Sequence, residues 1–241
     1  KMTIDIQIRR LLEGIKDNIS PKKLEELASI AIEKMTIDIQ IRRLLEGIKD
    51  NISPKKLEEL ASIAIEKMTI DIQIRRLLEG IKDKISPNKL EELASIAIEK
   101  MSDDYEIRCL LVEIKDKISP NKLEELASGA FETMSDESEI NYLLEGIKDN
   151  ISPNKLEEFA TVAINKMSNS YPIRSLLEGI KDKLTQEKLV ELTSTAIKKM
   201  SYDFHINNLL ETINENLSTI QLENLRGQIN TETPKACCTI M

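Results

Sequence analysis

The sequence predicts an all-α protein, an α-solenoid of about seven 33-residue helix-turn-helix repeats followed by a short flexible tail. Three observations lead there. Residues 1–33 recur without change at 34–66 and again at 67–99 with only Lys84 and Asn88 altered, and divergent copies follow at 100–132, 133–165, 166–198 and 199–231. Apolar residues within each copy fall at helical spacing. Aromatic residues make up only 3% and Trp is absent, so Leu, Ile and Ala supply the apolar area, which suits stacked helices better than a β-sandwich. A lone hairpin of this length cannot cover its apolar face, so successive copies must stack.

In the first half of a copy, Ile4, Ile8, Leu11, Leu12, Ile15 and Ile19 lie on one side of a 3.6-residue helix, while Arg9, Glu13 and Lys16 are expected to point away. Ser20-Pro21 then starts a second helix: the serine can cap free backbone N–H groups, and proline is harmless at the first helical place. Leu24, Leu27, Ala28, Ala31 and Met35 form its narrower stripe, lined with alanine so that another helix can come close. The start signal recurs at Ser53-Pro54, Ser86-Pro87, Ser119-Pro120 and Ser152-Pro153, and weakens to Thr185-Gln186 and Ser218-Thr219. Pro172 fits only a first turn, which places the start of that helix near Ser170. Methionine marks the second place of every copy, from Met2 to Met200.

The two ends of the array differ. The last copy carries Arg226 and Asn230 where others have Ala28 and Ile32, giving it a wettable outer side. The first copy is identical to its successor and has no such adaptation, so either more repeats precede it or its apolar end invites association. Residue 1 is Lys, which is expected if the numbering begins inside a longer protein.

Three surfaces are candidates for partner binding. The sixth place of each copy forms a row of Ile6, Ile39, Ile72, Tyr105, Ser138, Tyr171 and Phe204, explained either by a ligand groove or by packing against the preceding hairpin. Arg9, Arg42, Arg75, Arg108 and Arg174 form a ladder that could meet an acidic partner, or pair with Glu four places on, as Arg9 can with Glu13. Charge is uneven: the first three copies are each balanced, six against six, whereas 100–165 holds seven Lys and Arg against fifteen Asp and Glu. There, Asp103, Asp104, Glu106, Asp136, Glu137 and Glu139 gather at the starts of first helices, where anions suit the helix dipole and a basic partner could dock.

Composition narrows the function. A net charge of -8 and a pI near 5.0 argue against a nucleic-acid partner, since phosphate neutralisation requires cations. The sequence contains neither an apolar run of about 18 residues nor a signal-peptide pattern. Three cysteines, Cys109, Cys237 and Cys238, make no disulfide framework and fit a reducing cytosol, with Cys109 read as an incidental surface thiol. The only histidine is His205, which leaves no His-based triad or paired-His metal site, and no glycine-rich phosphate loop is present. Gly14, Gly47 and Gly80 give way to Glu113 and Thr212 in other copies, so no ligand requires them. The expectation is a non-enzyme without cofactor or metal.

The last four residues, Cys238-Thr239-Ile240-Met241, resemble a CaaX box, with Thr239 where an aliphatic is commoner. The resemblance implies recognition by a farnesyltransferase-type prenyltransferase, a thioether at Cys238 and a place on the cytosolic face of a eukaryotic membrane. One prenyl chain anchors only marginally, and Lys235 is the only cation between Thr231 and Ala236, so Cys237 is the candidate for palmitoylation. The repeats resemble tetratricopeptide or HEAT-type solenoids in architecture alone, lacking the tetratricopeptide Trp and Leu-Gly pair. Near-identical early copies imply recent duplication, as in effectors that intracellular bacteria secrete into host cells. The reading is a lipid-anchored adaptor, with residues 1–231 holding a protein partner and 232–241 the tail. Its rivals are a module positioning an enzymatic domain ahead of Lys1, and an array that self-associates through its first hairpin.

Overall fold

The computed structural model describes residues 2–200 and 203–232, and among them every regular element is helical. The chain divides into two compact units, Lys1–Glu132 and Thr133–Met241. The first contains α1 (Met2–Ile15), α2 (Pro21–Lys34), α3 (Asp38–Ile48), α4 (Pro54–Lys67), α5 (Asp71–Ile81), α6 (Pro87–Lys100), α7 (Asp104–Ile114) and α8 (Pro120–Thr133). The second contains α9 (Glu137–Ile147), α10 (Pro153–Lys166), α11 (Ser170–Ile180), α12 (Gln186–Lys199), α13 (Asp203–Thr212) and α14 (Thr219–Glu232). Each sequence copy is thus one helical hairpin. Helix α14 reaches one residue into the segment expected as tail, and the rest of that segment, 233–241, lies outside the described residues.

The boundaries follow from local chemistry. Ser20 Oγ accepts from the Lys23 N–H at 3.3 Å, and Ser53, Ser86, Ser119 and Thr185 repeat the bond at 3.3, 3.4, 3.3 and 3.3 Å. Each satisfies an orphan donor of the first turn. Second helices end where methionine turns extended: the Met35 N–H still donates to Ala31 O at 2.8 Å, while the Met35 side chain is buried. Helix α11 begins at Ser170, so Pro172 falls in the first turn, where its missing N–H costs no intrahelical bond.

Within each unit, like stacks on like. First helices α1, α3, α5 and α7 pack in sequence, as do α2, α4 and α6; in the second unit α9, α11 and α13 stack, and α10, α12 and α14 do likewise. Leu44, Leu45, Ile48, Leu57, Leu60 and Ile65 are all fully buried in this arrangement. Each such side chain contributes about 1.5–3 kcal/mol of transfer free energy. Ala61 and Ala64 are buried as well, and their small size lets second helices approach closely.

Between hairpins runs a polar seam that the periodicity of one copy does not reveal. Asp5 accepts the Thr36 and Ile37 N–H groups at 2.8 and 2.9 Å, and Asp38 does the same for Thr69 and Ile70 at 2.8 and 2.9 Å. The entry to each of these first helices is therefore capped by the preceding hairpin, since Ile37 and Ile70 have no capping side chain of their own. Glu137 takes this part in the second unit, accepting from Ser168 and Asn169 N–H at 2.9 and 3.0 Å. Burial pushes its carboxyl up, but the Ser168 and Asn169 hydrogen bonds outweigh it and hold it below the usual range. Glu25 joins second helices in the same way, accepting from the Ser53 N–H and hydroxyl at 2.8 and 2.7 Å, which lowers its pKa.

Lys16, expected to point away, instead donates to Gly47 O at 2.8 Å, and Lys49, Lys148 and Lys181 reach the next hairpin identically. The glycine makes room for its neighbour: a Cβ on Gly47 would lie 2.9 Å from Glu13 Oε1 and 3.2 Å from its Cγ. Where threonine stands there, Thr212 Oγ1 bonds Glu178 Oε1 at 3.1 Å.

One copy breaks the pattern at a cost. Thr193 occupies the place of Ala28, is fully buried, and its hydroxyl has no hydrogen-bond partner. Thr193→Ala removes this orphan and is expected to stabilise the chain by about 1 kcal/mol, read as a raised urea midpoint with unchanged slope.

Candidate functional site

The arginine ladder is assembled into the junctions between hairpins. Arg9 lies 2.6 Å from Glu13, Arg42 2.7 Å from Glu46, Arg75 3.1 Å from Glu79 and Arg174 3.6 Å from Glu178, all four residues apart. The second edge of the guanidinium reaches forward: Arg9 Nε donates to Gln40 Oε1 at 2.9 Å and Arg42 Nε to Gln73 Oε1 at 2.8 Å. Arg75 Nε does the same to Glu106, a buried carboxylate where earlier copies have glutamine. Burial pulls the Arg75 pKa down, but Glu106 more than reverses this. With both edges of Arg9, Arg42 and Arg75 engaged and Arg42 buried, little of these three side chains remains for an acidic partner, whereas Arg174 Nε makes no hydrogen bond. Arg108 differs because the residue four places on is Val112, and its guanidinium lies 4.8 Å above the Tyr105 ring.

The sixth-place row is not uniform. Ile6, Ile39 and Ile72 are half-buried, whereas Tyr105 is 50% exposed, and in the second unit Tyr171 and Phe204 are 60% and 68% exposed beside exposed Ser138. Arg174 lies 5.6 Å over the Tyr171 ring, and Phe204 meets His205 edge to face at 5.6 Å. Tyr142 adds a further half-exposed ring in the second unit, one that the row did not include. Each unit therefore offers amphipathic rings with an apolar body and, for the tyrosines, a polar tip, which is the side-chain type enriched in protein interfaces.

The acids of the 100–165 region are engaged at helix starts. Asp103 accepts the Glu106 N–H at 3.2 Å, and Asp136 accepts from Ser138 and Glu139 N–H at 2.8 and 3.1 Å. These are N-caps, and they place negative charge at the positive end of the helix dipole. Cys109 is half-buried. Among the described residues, no helix is long and apolar enough to cross a membrane. Cys237, Cys238, Thr239, Ile240 and Met241 lie outside the described residues.

What sequence reasoning missed is the seam: Asp5, Lys16, Glu25 and Gln40 act across hairpins. The signal for them was present, because the same polar residue returns at the same place of successive copies although one face of an isolated helix gives it no partner.

No protein-family profile matches the chain, and no curated protein is similar to it. Among solved structures it is similar to a computationally designed self-assembling cyclic homooligomer, with 12% identity over 95% of this chain and 89% of the other, at a TM-score of 0.19. It is also similar to a de novo designed 16-helix transmembrane nanopore, with 13% identity over 92% and 67% of the two chains, at a TM-score of 0.17.

Proposed function

We propose that the chain is a non-catalytic, lipid-anchored scaffold: its helical hairpins hold a protein partner, and a prenyl group on Cys238 places that partner on the cytosolic face of a eukaryotic membrane. The observation that carries this reading is the Cys238-Thr239-Ile240-Met241 sequence, taken with Met241 as the free carboxyl terminus. A farnesyltransferase-type enzyme would alkylate Cys238 and palmitoylation of Cys237 would supply the second anchor, because one prenyl chain alone binds a bilayer reversibly. The exposed rings of Tyr105, Tyr171 and Phe204 support partner binding, being among the large apolar side chains that the hairpins leave in solvent. Delivery by an intracellular bacterium would bring such a chain to host prenyltransferases.

Expression in yeast or animal cells followed by membrane fractionation tests the anchor. The intact chain is expected in the membrane fraction and Cys238→Ser in the soluble fraction, with the same proteins captured by both. Equal partition of the two forms would rule out the anchor, and loss of the captured proteins only in the variant would assign binding to the tail rather than to the hairpins.

A further inference from the structure

We propose that the first helices of the 1–132 unit carry a peptide-binding strip whose occupant is an acidic segment of a partner protein, lying across them in polyproline II form. The proposal rests on the reading of the hairpins as a partner-holding array and assigns that role to one face. Two rows build the strip. The tenth place of the first three copies is Arg10, Arg43 and Arg76; all three are exposed, and among the described residues none makes a hydrogen bond or ion pair. One helical turn earlier lie half-buried Ile6, Ile39 and Ile72, and exposed Tyr105 continues that row on α7. Arg43 and Arg76 belong to internal hairpins, so their exposure does not depend on where the chain begins.

The positive charge of this face is uncompensated although each copy is balanced. Glu13 and Glu46 are held by Arg9 and Arg42 at 2.6 and 2.7 Å, and Asp50 and Asp83, just beyond α3 and α5, by Lys84 and Lys117 at 2.6 and 2.7 Å. The balancing acids sit elsewhere: Glu33, Glu66 and Glu99 are exposed near the ends of the second helices α2, α4 and α6. What remains is a line of cations, one per hairpin, bordered by apolar side chains.

The period of that line selects the ligand. Packed helices lie roughly 8–10 Å apart. A polyproline II chain returns the same face every three residues, an advance of about 9.3 Å, so carboxylates at every third residue meet successive arginines. A β-strand alternates its faces and turns half of such carboxylates away. The residues between the acids then edge onto the isoleucine row. The surface is recessed at this strip: a depression of about 450 Å³ takes in Arg76 with Glu46 and Glu79, and another of about 450 Å³ takes in Ile72 with Ser102 and Glu106. Nucleic acid and anionic bilayers call for a broad field of cations, whereas this line is one residue wide on a chain of net charge -8.

Fluorescence anisotropy of a labelled synthetic peptide of repeated Glu-Leu-Pro triplets, titrated with the unlipidated 241-residue chain in reducing buffer, tests the strip. The expected dissociation constant is about 10–300 µM at low salt, rising at least about fivefold in ~0.5 M salt. Arg43→Ala should weaken binding about three- to tenfold, and the Arg10→Ala/Arg43→Ala/Arg76→Ala variant should abolish it up to about 1 mM. Lys55→Ala removes an exposed cation from α4 and should change nothing. A peptide of the same composition with its glutamates gathered at one end should bind at least about fivefold more weakly. All of the substituted side chains are exposed, so the fold is preserved, which circular dichroism checks. No binding of the triplet peptide, equal binding of the two peptides, indifference to the triple variant, or arginine-dependent binding of phosphatidylserine vesicles in place of the peptide overturns the proposal. Such a failure removes the strip alone, because the anchor is read by fractionation in cells, and loss of the anchor leaves peptide binding by the unlipidated chain intact.

Discussion

Arg75→Ala is expected to destabilise the 1–132 unit by about 3–5 kcal/mol. The reason lies in its partner: the Glu106 side chain is only 8% exposed and is held by Arg75 Nε, while the same guanidinium meets Glu79 at 3.1 Å. Removing the cation leaves a carboxylate in a junction with little water, and the group must either ionise there without a partner or take up a proton. Arg42→Ala removes an equivalent reach, but what it strands is the neutral amide of Gln73, at a cost of about 1–3 kcal/mol. The order of the two single variants is therefore predicted, Arg75 above Arg42. Glu106→Gln restores the residue of the earlier copies, so the Arg75→Ala/Glu106→Gln double variant should recover stability relative to Arg75→Ala alone. Urea unfolding of the full chain, followed by circular dichroism, reads all three. Equal losses in Arg75→Ala and Arg42→Ala would contradict the account.

Leu77→Ala and Leu11→Ala form the second large contrast. The two leucines sit in an identical stretch, residues 8–15 and 74–81, so helix propensity, neighbours in sequence and unfolded-state behaviour are the same. Only the stacking differs. Leu77 is fully buried between hairpins, and its truncation should cost about 3–5 kcal/mol by lost transfer energy and the cavity left behind. Leu11, largely exposed, should cost less than about 1 kcal/mol at concentrations where the chain is monomeric. Because neighbouring hairpins couple while distant ones do not, the unfolding curve of Leu77→Ala is expected to broaden as well as shift. Comparable losses at the two positions would mean that the stacking described here does not govern stability.

How much of this was legible in the sequence depends on the range of the interaction. The hairpins were, because each helix announces itself through its own apolar stripe and each second helix through a Ser-Pro or Thr cap. The start of α11 at Ser170 followed from the geometry of Pro172 alone. Pairing of Arg9 with Glu13 was likewise readable at a spacing of four. Contacts between hairpins were not, since their offsets of 28 to 35 residues depend on how one copy lies on the next. Lys16 and Arg42 thus read as outward charges and proved to be seam donors, the first to Gly47 O and the second to Gln73. Arg108 was read as one rung of a uniform ladder, although Val112 stands four places on where the other rungs have a glutamate, and its guanidinium lies over the Tyr105 ring. The cost at Thr193 was hidden for a related reason: threonine is an ordinary helix residue until a neighbouring helix closes over its hydroxyl.

The tail motif stands apart from this logic, since the lipidation we propose for it would be read by an enzyme and not by the fold. Intact mass spectrometry of the full chain purified from yeast or animal cells tests it most directly. The predicted spectrum carries one isoprenoid on Cys238 with Thr239 to Met241 removed, and Cys238→Ser abolishes the shift. A free thiol at Cys238 with the last three residues still attached, in cells that alkylate a control substrate, would contradict the claim that this helical array is delivered to a membrane by its own carboxyl end.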